Sequence, residues 1–331
     1  GSVCCVKETG NILTMDSQNT RAEAVAVYEG NITAVGSNTE LAKLVGEGTE
    51  VVHLAGRTLL PGFIDPHNHF SINALEPVAV DCSVPPHATI NSILDTIAEA
   101  AKDLPSGRWL RGWGFRTNRL RENRAITRWE LDEAAPDNPV CIMDGSVHAC
   151  YANSAALGLA GVDRNTPDPL HGQILHADNG EPNGTLWEGA MDQIYNMSLR
   201  AHLEYYGEDL SNLINHNCLR HLANGITSVG DALVVPDAAE LYRMADRLRR
   251  IPITVHQMLG AEGFFAPPDR VSNGEISDGN VSDRLRGGTM KIFMDPVFPS
   301  SAYTRHHADG DVEPIGEIYY CLLYTSPSPR D

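Results

Sequence analysis

Between Leu59 and Phe70 the chain reads LLPGFIDPHNHF. A Pro-Gly follows an apolar pair, a short apolar run follows the Pro-Gly, and two histidines stand one residue apart at its end. In an extended strand, residues two apart point the same way, so Phe63, Asp65, His67 and His69 share a direction if the strand stays regular. Pro66 has no backbone donor and argues that regular pairing ends there. The chain changes character on either side of this stretch.

Upstream, residues 11–58 read as short strands with tight turns. AEAVAVYEGNITAVG places β-branched residues around Glu29-Gly30-Asn31, a hairpin signal, and EVVHLAGRTLL follows with alternation and another glycine. Residues 1–58 are therefore expected to form part of a small, sandwich-like β-domain. Residues 59–75 then carry the first strand and loop of a larger domain, and 76–205 form a long insert of turns, helices and strands. Within the insert, Ile90, Ile93, Leu94, Ile97 and Ala101 recur near helical spacing, Thr127 stands three residues before Glu130 as a capping box, and NSAALGLAG is a short helix capped by Asn153 or Ser154 and stopped by Gly161. From 206 to 320 the rhythm becomes regular: a helix over DLSNLINHNCLRHLANG, a strand at GITSVGDA, a helix over PDAAELYRMADRLRR, and strands at IPITVHQML and GTMKIFMD. Nearly continuous apolar strands alternating with helices are the pattern of a parallel sheet covered on both faces, an α/β barrel or a doubly wound sheet.

The bulk numbers set limits. The chain has 331 residues, 42% of them apolar, enough for one large domain or two ordinary ones. A formal net charge of −18 argues against nucleic acid as a partner. No apolar run reaches the length of a transmembrane helix, so no membrane partner is expected. The chain starts at Gly1 without a visible signal peptide, although a leader could precede it. Seven cysteines without a CxxC pair read as free thiols in a reducing, cytoplasmic compartment.

Two features of the strands carry chemistry. His67 and His69 on one face near a strand's C-terminal end can hold one divalent ion, and zinc takes such nitrogens at ~2.0–2.1 Å. The plainer alternative is two structural histidines at the polar end of a core. Asp65 on the same face favours the metal, as an acceptor that orients a ring. Lys291 sits inside the apolar GTMKIFMD, sharing a face with Phe293 and Asp295. A lysine there is costly unless paired or neutral. It either snorkels outward or has a depressed pKa and reacts with carbon dioxide, giving a carbamate that bridges two metal ions.

At this point the chain resembles the amidohydrolase superfamily, and within it the Amidohydrolase 3, YtcJ-like group. LPGFIDPHNHF after a β-rich GNITAVG is similar to that superfamily's opening. RGWGF at 111–115, ITRWELDEAAPDNPV at 126–140, DGSVHACYANSAAL at 144–157, GQILHADNGEPNGTLWEGAM at 172–191, GITSVGDA at 225–232 and MKIFMD at 290–295 narrow the likeness, which covers nearly all of residues 10–320. The resemblance implies a TIM-type (β/α)8 barrel, of which only the first four strands are present, with the β-domain before it and a large α+β insert after strand one. It implies metal ligation by His67 and His69, a carboxylated Lys291 bridging one or two divalent ions, zinc foremost, and pocket-lining roles for His148 and Glu188. A structural role in the insert for His148, and a cap or ion pair for Glu188, carry nearly equal weight. Pro296 departs from the glycine common in relatives, and the neighbouring His306 and His307 are not assigned as ligands.

The last eleven residues, CLLYTSPSPRD, read as a translated library-adapter sequence, so the native chain is expected to break off at residue 320. The family's remaining ligands, two histidines and a catalytic aspartate on the eighth strand, would fall beyond that point, since a complete barrel needs about 250 residues by itself. No catalytic proton shuttle is therefore expected within these residues. The expected activity of the full-length protein is hydrolysis of a small amide-type, N-acyl or N-formyl C–N bond by a water whose pKa the metal lowers to ~7. The 331 residues alone are expected to be inactive and, with open strand edges, prone to aggregate. Self-association of the full-length protein stays open. The rivals are a non-catalytic barrel scaffold or regulator, and a deaminase or cyclic-amide hydrolase of the same superfamily.

Overall fold

The computed structural model describes residues 4–169, 172–260, 281–291, 304–306 and 312–314. The chain divides into two compact units, residues 1–63 and 64–331. The expected adapter tail, His307, Pro296 and residues 292–295 lie outside the described residues. Thr304–His306 pairs with Val312–Pro314 in a two-stranded ribbon, which puts the backbone of His306 in a strand.

The first unit contains strands β1 (Cys4–Leu13), β2 (Arg21–Tyr28), β3 (Asn31–Gly36), β4 (Glu50–Val52) and β5 (Thr58–Leu59). They form one sheet of order β3-β2-β1-β4, with β5 also on β1. The hairpin read at Glu29-Gly30 is present: both residues have positive φ, 50° and 79°, as a primed two-residue turn requires, and Tyr28 pairs with Asn31 across it. A one-turn helix, α1 (Asn38–Leu41), is set by Ser37 and Glu40, which cap each other's backbone. Its Leu41 closes over Ala24 and Ala26 on the sheet.

Strand β6 (Phe63–Asn68) runs through Pro66 without ending. That corrects the expectation that pairing stops there. β6 is an edge of the described sheet, where a missing N–H leaves no gap in the ladder. The Pro66 carbonyl instead lies against Gly230, where an added Cβ would collide with it and stand 2.9 Å from Met258 Cε.

After α2 (Phe70–Ala74), the chain builds a six-stranded mixed sheet. Its elements are β7 (Val80–Asp81), α3 (Ile90–Lys102), β8 (Leu110–Phe115), α4 (Arg128–Ala134), β9 (Val140–Asp144), β10 (Ala149–Ala152), α5 (Ser154–Leu159), β11 (Gly172–His176) and β12 (Pro182–Glu188). The order is β11-β12-β10-β9-β8-β7; β7, β8 and β9 are parallel and the rest antiparallel. Helix α3 buries Ile90, Ile93 and Ile97, the face its spacing marks. Helix α4 has the capping box read from Thr127 and Glu130, and Arg124 beside Glu130 helps hold that carboxyl down to about 2. For α5 the cap is Asn153, whose side chain accepts from the Ala156 N–H at 3.0 Å.

The remaining elements are α6 (Asp192–Tyr206), α7 (Asp209–Ala223), β13 (Ile226–Val234), α8 (Pro236–Arg247), β14 (Thr254–Leu259) and β15 (Leu285–Met290). They form a four-stranded sheet of order β15-β14-β13-β6, in which β13, β14 and β15 are parallel. Strand β15 starts before the expected GTMKIFMD, and the described strand ends at Met290, so Lys291 follows the strand rather than sitting inside it. One apolar core, from Phe70 and Tyr195 through Leu241 and Tyr242 to Val255 and Leu285, joins this sheet to the mixed one. The architecture is α/β. No helix among the described residues is long and apolar enough to cross a membrane.

Candidate active site

β13 holds His69 and the turn after it in place. Asp231 is fully buried, and its carboxylate accepts the backbone N–H of Phe70 at 2.8 Å, the N–H of Ser71 at 3.0 Å and the Tyr242 hydroxyl at 2.6 Å. Burial nonetheless pushes its pKa up to about 6. The next residue, Ala232, offers its carbonyl to His69 Nδ1 at 2.8 Å. A carbonyl only accepts, so Nδ1 carries the proton and Nε2 is left as the ring's electron-pair donor. Leu233, beside it, has a φ of 79°, a conformation costly for a branched side chain.

The His67 and His69 rings lie edge to face with centroids 5.7 Å apart. His67 is exposed and His69 half-buried. Burial depresses the pKa of His69 most; the Ala232 bond opposes this, and charge repulsion from His67, Lys291 and His148 adds to the depression. Those three groups therefore lie within electrostatic reach of one ring. Lys291 is half-buried, its N–H donates to the Leu259 carbonyl at 2.9 Å, and burial lowers its amine below the usual lysine range. Asp65 does not orient a histidine ring: it accepts from the Asn68 side chain at 2.8 Å and from the His67 backbone N–H at 3.3 Å. Its short side chain is spent on its own turn.

His148 and Glu188 meet across β10 and β12. The Glu188 N–H donates to the His148 carbonyl at 3.0 Å, and His148 Nδ1 lies 3.0 Å from Glu188 Oε2. Glu188 is buried. Positive φ at Val147 (68°) and at Glu188 (50°) places strained backbone on both sides of this pair. Strain of this kind persists only where the surroundings over-determine it. His148 and Trp187 line a cavity of about 250 Å³.

The donor chemistry fits a divalent ion in part. Two adjacent imidazoles, one with its tautomer set by a carbonyl, and a lysine with a weakened hold on its proton are present. Among the described residues no three His, Cys, Asp or Glu side chains converge as a metal-binding group.

The family model for the amidohydrolase family matches residues 50–315. The chain belongs to the amidohydrolase family. Among curated relatives, this amidohydrolase chain is 40% identical to the N-substituted formamide deformylase of Arthrobacter pascens over 313 residues, 94% of this chain and 57% of that protein. It is 33% identical to the putative amidohydrolase YtcJ of Bacillus subtilis, over 86% of this chain and 53% of that one. The chain thus spans about half the length of the curated relatives it matches. An uncharacterized metal-dependent hydrolase from Pyrococcus horikoshii has a similar fold, with a TM-score of 0.64, 20% identity, and coverage of 89% of this chain and 55% of that one.

Asp231 and the Ala232 carbonyl were missed in the sequence. The available signal was a charged side chain, Asp231, set among the apolar and small residues of VGDALVV.

Proposed function

We propose that the full-length protein is a metal-dependent hydrolase of amide-type C–N bonds in small molecules, with N-formyl or N-acyl amines as substrates. The observation that carries this is the junction of β6 and β13, where the Ala232 carbonyl fixes the tautomer of His69 with its centroid 5.7 Å from His67. The likeness to an N-substituted formamide deformylase supports the bond class.

In this reading His67, His69 and Lys291 would hold the metal, zinc by preference for nitrogen donors. A bound divalent ion would supply an acidified water and a Lewis acid for the carbonyl. Lys291 serves as its carbamate: the neutral amine adds carbon dioxide at Nζ and loses a proton. Burial, which lowers the lysine pKa, makes that neutral amine accessible. With one ion or two, that carbamate would add an anionic oxygen donor to the two imidazoles. His148, held at Nδ1 by Glu188, presents its ring to the substrate cavity and orients the amide. The sheet β6-β13-β14-β15 is then the first part of a (β/α)8 barrel, and the mixed sheet is the insert over its mouth. The proton shuttle in this reading is an aspartate, and it is assigned to none of the residues named above.

The test is amine and formate release from N-benzylformamide by the full-length protein. Turnover that chelation abolishes and zinc restores is expected. Undiminished turnover by metal-free protein, or no C–N cleavage across a panel of formamides and acylamides by metal-loaded protein, refutes the reading.

A further inference from the structure

Between His67 and His69 stands Asn68, whose side chain leaves the strand on the other side. It reaches helix α7: Asn68 Nδ2 donates to His221 Nε2 at 3.3 Å and to Asp65 Oδ2 at 2.8 Å. The roles are fixed by what stands behind them. His221 Nδ1 lies 2.8 Å from the Asn217 carbonyl, which only accepts, so Nδ1 carries the proton and Nε2, facing an NH2 group, is the acceptor. The Asn68 amide does not turn over, because its oxygen would then face a carboxylate and an imidazole lone pair. It keeps this orientation although Oδ1 is buried without a hydrogen-bond partner among the described residues.

Helix α7 takes a second hold one turn earlier. Buried Asn217 donates from Nδ2 to the Phe70 carbonyl at 3.1 Å, and the Phe70 ring lies against the His221 ring with centroids 4.8 Å apart. Residues 217 and 221 are four apart and so share one face of α7. That face grips the residue before His69 and the residue after it, while β13 grips the His69 ring and the N–H groups of Phe70 and Ser71. None of these α7 bonds involves the His67 or His69 ring. What they set is the roll of the strand end about its own axis, and on a strand that roll decides where the side chains on either side point.

The geometry points to Asn68 and His221 as positioning residues: their bond, backed by Asn217, holds the roll that aims His67 and His69 at one ion. The inference rests on the metal-binding reading of the histidine pair and adds helix α7 to what holds it. The element that matters is the acceptor at His221 Nε2, more than the bulk of the ring.

The zinc affinity of the full-length protein, stripped of metal and titrated against a chromophoric chelator, tests it. His221→Leu, which keeps bulk and loses the acceptor, and Asn68→Ala should each bind zinc about 10–100-fold more weakly, the usual cost of removing a group that orients a ligand. His221→Gln, whose amide oxygen accepts from Asn68 in place of Nε2, should restore most of the affinity. A role in folding alone would lower the melting temperature of the metal-free variants and leave the zinc affinity of the folded chains unchanged. That result, in either variant, overturns the inference, and so does a loss in His221→Gln as large as that in His221→Leu. Asn68 is only half-buried, so Asn68→Ala decides the matter even if His221→Leu misfolds. Zinc binding that His67→Ala/His69→Ala abolishes but Asn68→Ala and His221→Leu leave intact counts against this inference alone. No zinc bound by the unaltered protein overturns the metal reading and this inference with it.

Discussion

His69 is tied to Ala232: its Nδ1–H donates to that residue's carbonyl at 2.8 Å, across 163 positions of sequence. The bond fixes which ring nitrogen remains as a ligand and joins the edge strand β6 to its neighbour. One residue earlier, Asp231 binds the two N–H groups that follow His69, so consecutive residues of β13 hold the side chain and the backbone of the same turn.

Asp231→Ala should therefore be severe. It leaves two buried N–H groups and the Tyr242 hydroxyl without their acceptor, a loss of about 4 kcal/mol. Denaturant melts of the full-length protein measure it, and a change below about 1 kcal/mol would mean the clamp does little.

Asp231 and His202 should tilt the pH dependence of stability in opposite directions. Burial first, then Arg111, pushes buried His202 down to about 3 from 6.5, so the unfolded chain takes up a proton that the folded chain refuses. That contribution is intact above pH 6.5 and is lost as pH falls toward 3. Asp231, raised from 3.8 to about 6, keeps its proton in the folded chain after the unfolded chain has released it, so its contribution falls as pH rises through that window. Between about pH 4 and 6 the two nearly cancel. Relative to the unaltered protein, His202→Asn should make stability fall with rising pH, and Asp231→Asn should make it rise, each by about 1.4 kcal/mol per pH unit. Parallel curves for all three proteins would show that neither group titrates as described.

Gly230→Ala forces a methyl onto the Pro66 carbonyl and toward Met258 Cε. Separation of β6 from β13 should cost about 3 kcal/mol and loosen the histidine pair with it. A crystal structure of the variant with the His69–Ala232 bond intact and no loss in melting would contradict this.

Glu188→Gly should separate stability from activity. Glycine relieves the left-handed backbone at Glu188 by about 1 kcal/mol, offsetting part of the lost ion pair, so the melt should move little. Without the Glu188 carboxylate, the His148 ring loses the acceptor at Nδ1, and kcat/KM should fall about 10–100-fold, while Glu188→Gln, which keeps an acceptor, should retain most of it. Equal activity for the glycine and glutamine variants would deny Glu188 a positioning role.

What was legible in the sequence was local. The Glu29-Gly30 turn, the Thr127–Glu130 box and the α3 stripe of Ile90, Ile93 and Ile97 each depend on residues a few positions apart, and all are present. The histidine pair and Lys291 stood out because polar side chains in apolar strands need a reason. What was not legible depended on distant neighbours. Pro66 is tolerated because β6 has a strand on one side only among the described residues, and Gly230 makes room for its carbonyl. Asp231 matters because Phe70 and Ser71 lie against it. Helix α6 escaped notice because its buried face mixes Ser198 and His202 with Ile194, Tyr195 and Leu199, which blurs the apolar stripe.

The central claim is that His67, His69 and Lys291 hold a divalent metal. Elemental analysis of the full-length protein beside its His67→Ala/His69→Ala and Lys291→Ala variants tests it most directly. About one or two equivalents of zinc or a similar ion per chain are expected, lost in the double variant and reduced in the lysine variant. Metal content unchanged by all three substitutions would contradict the account.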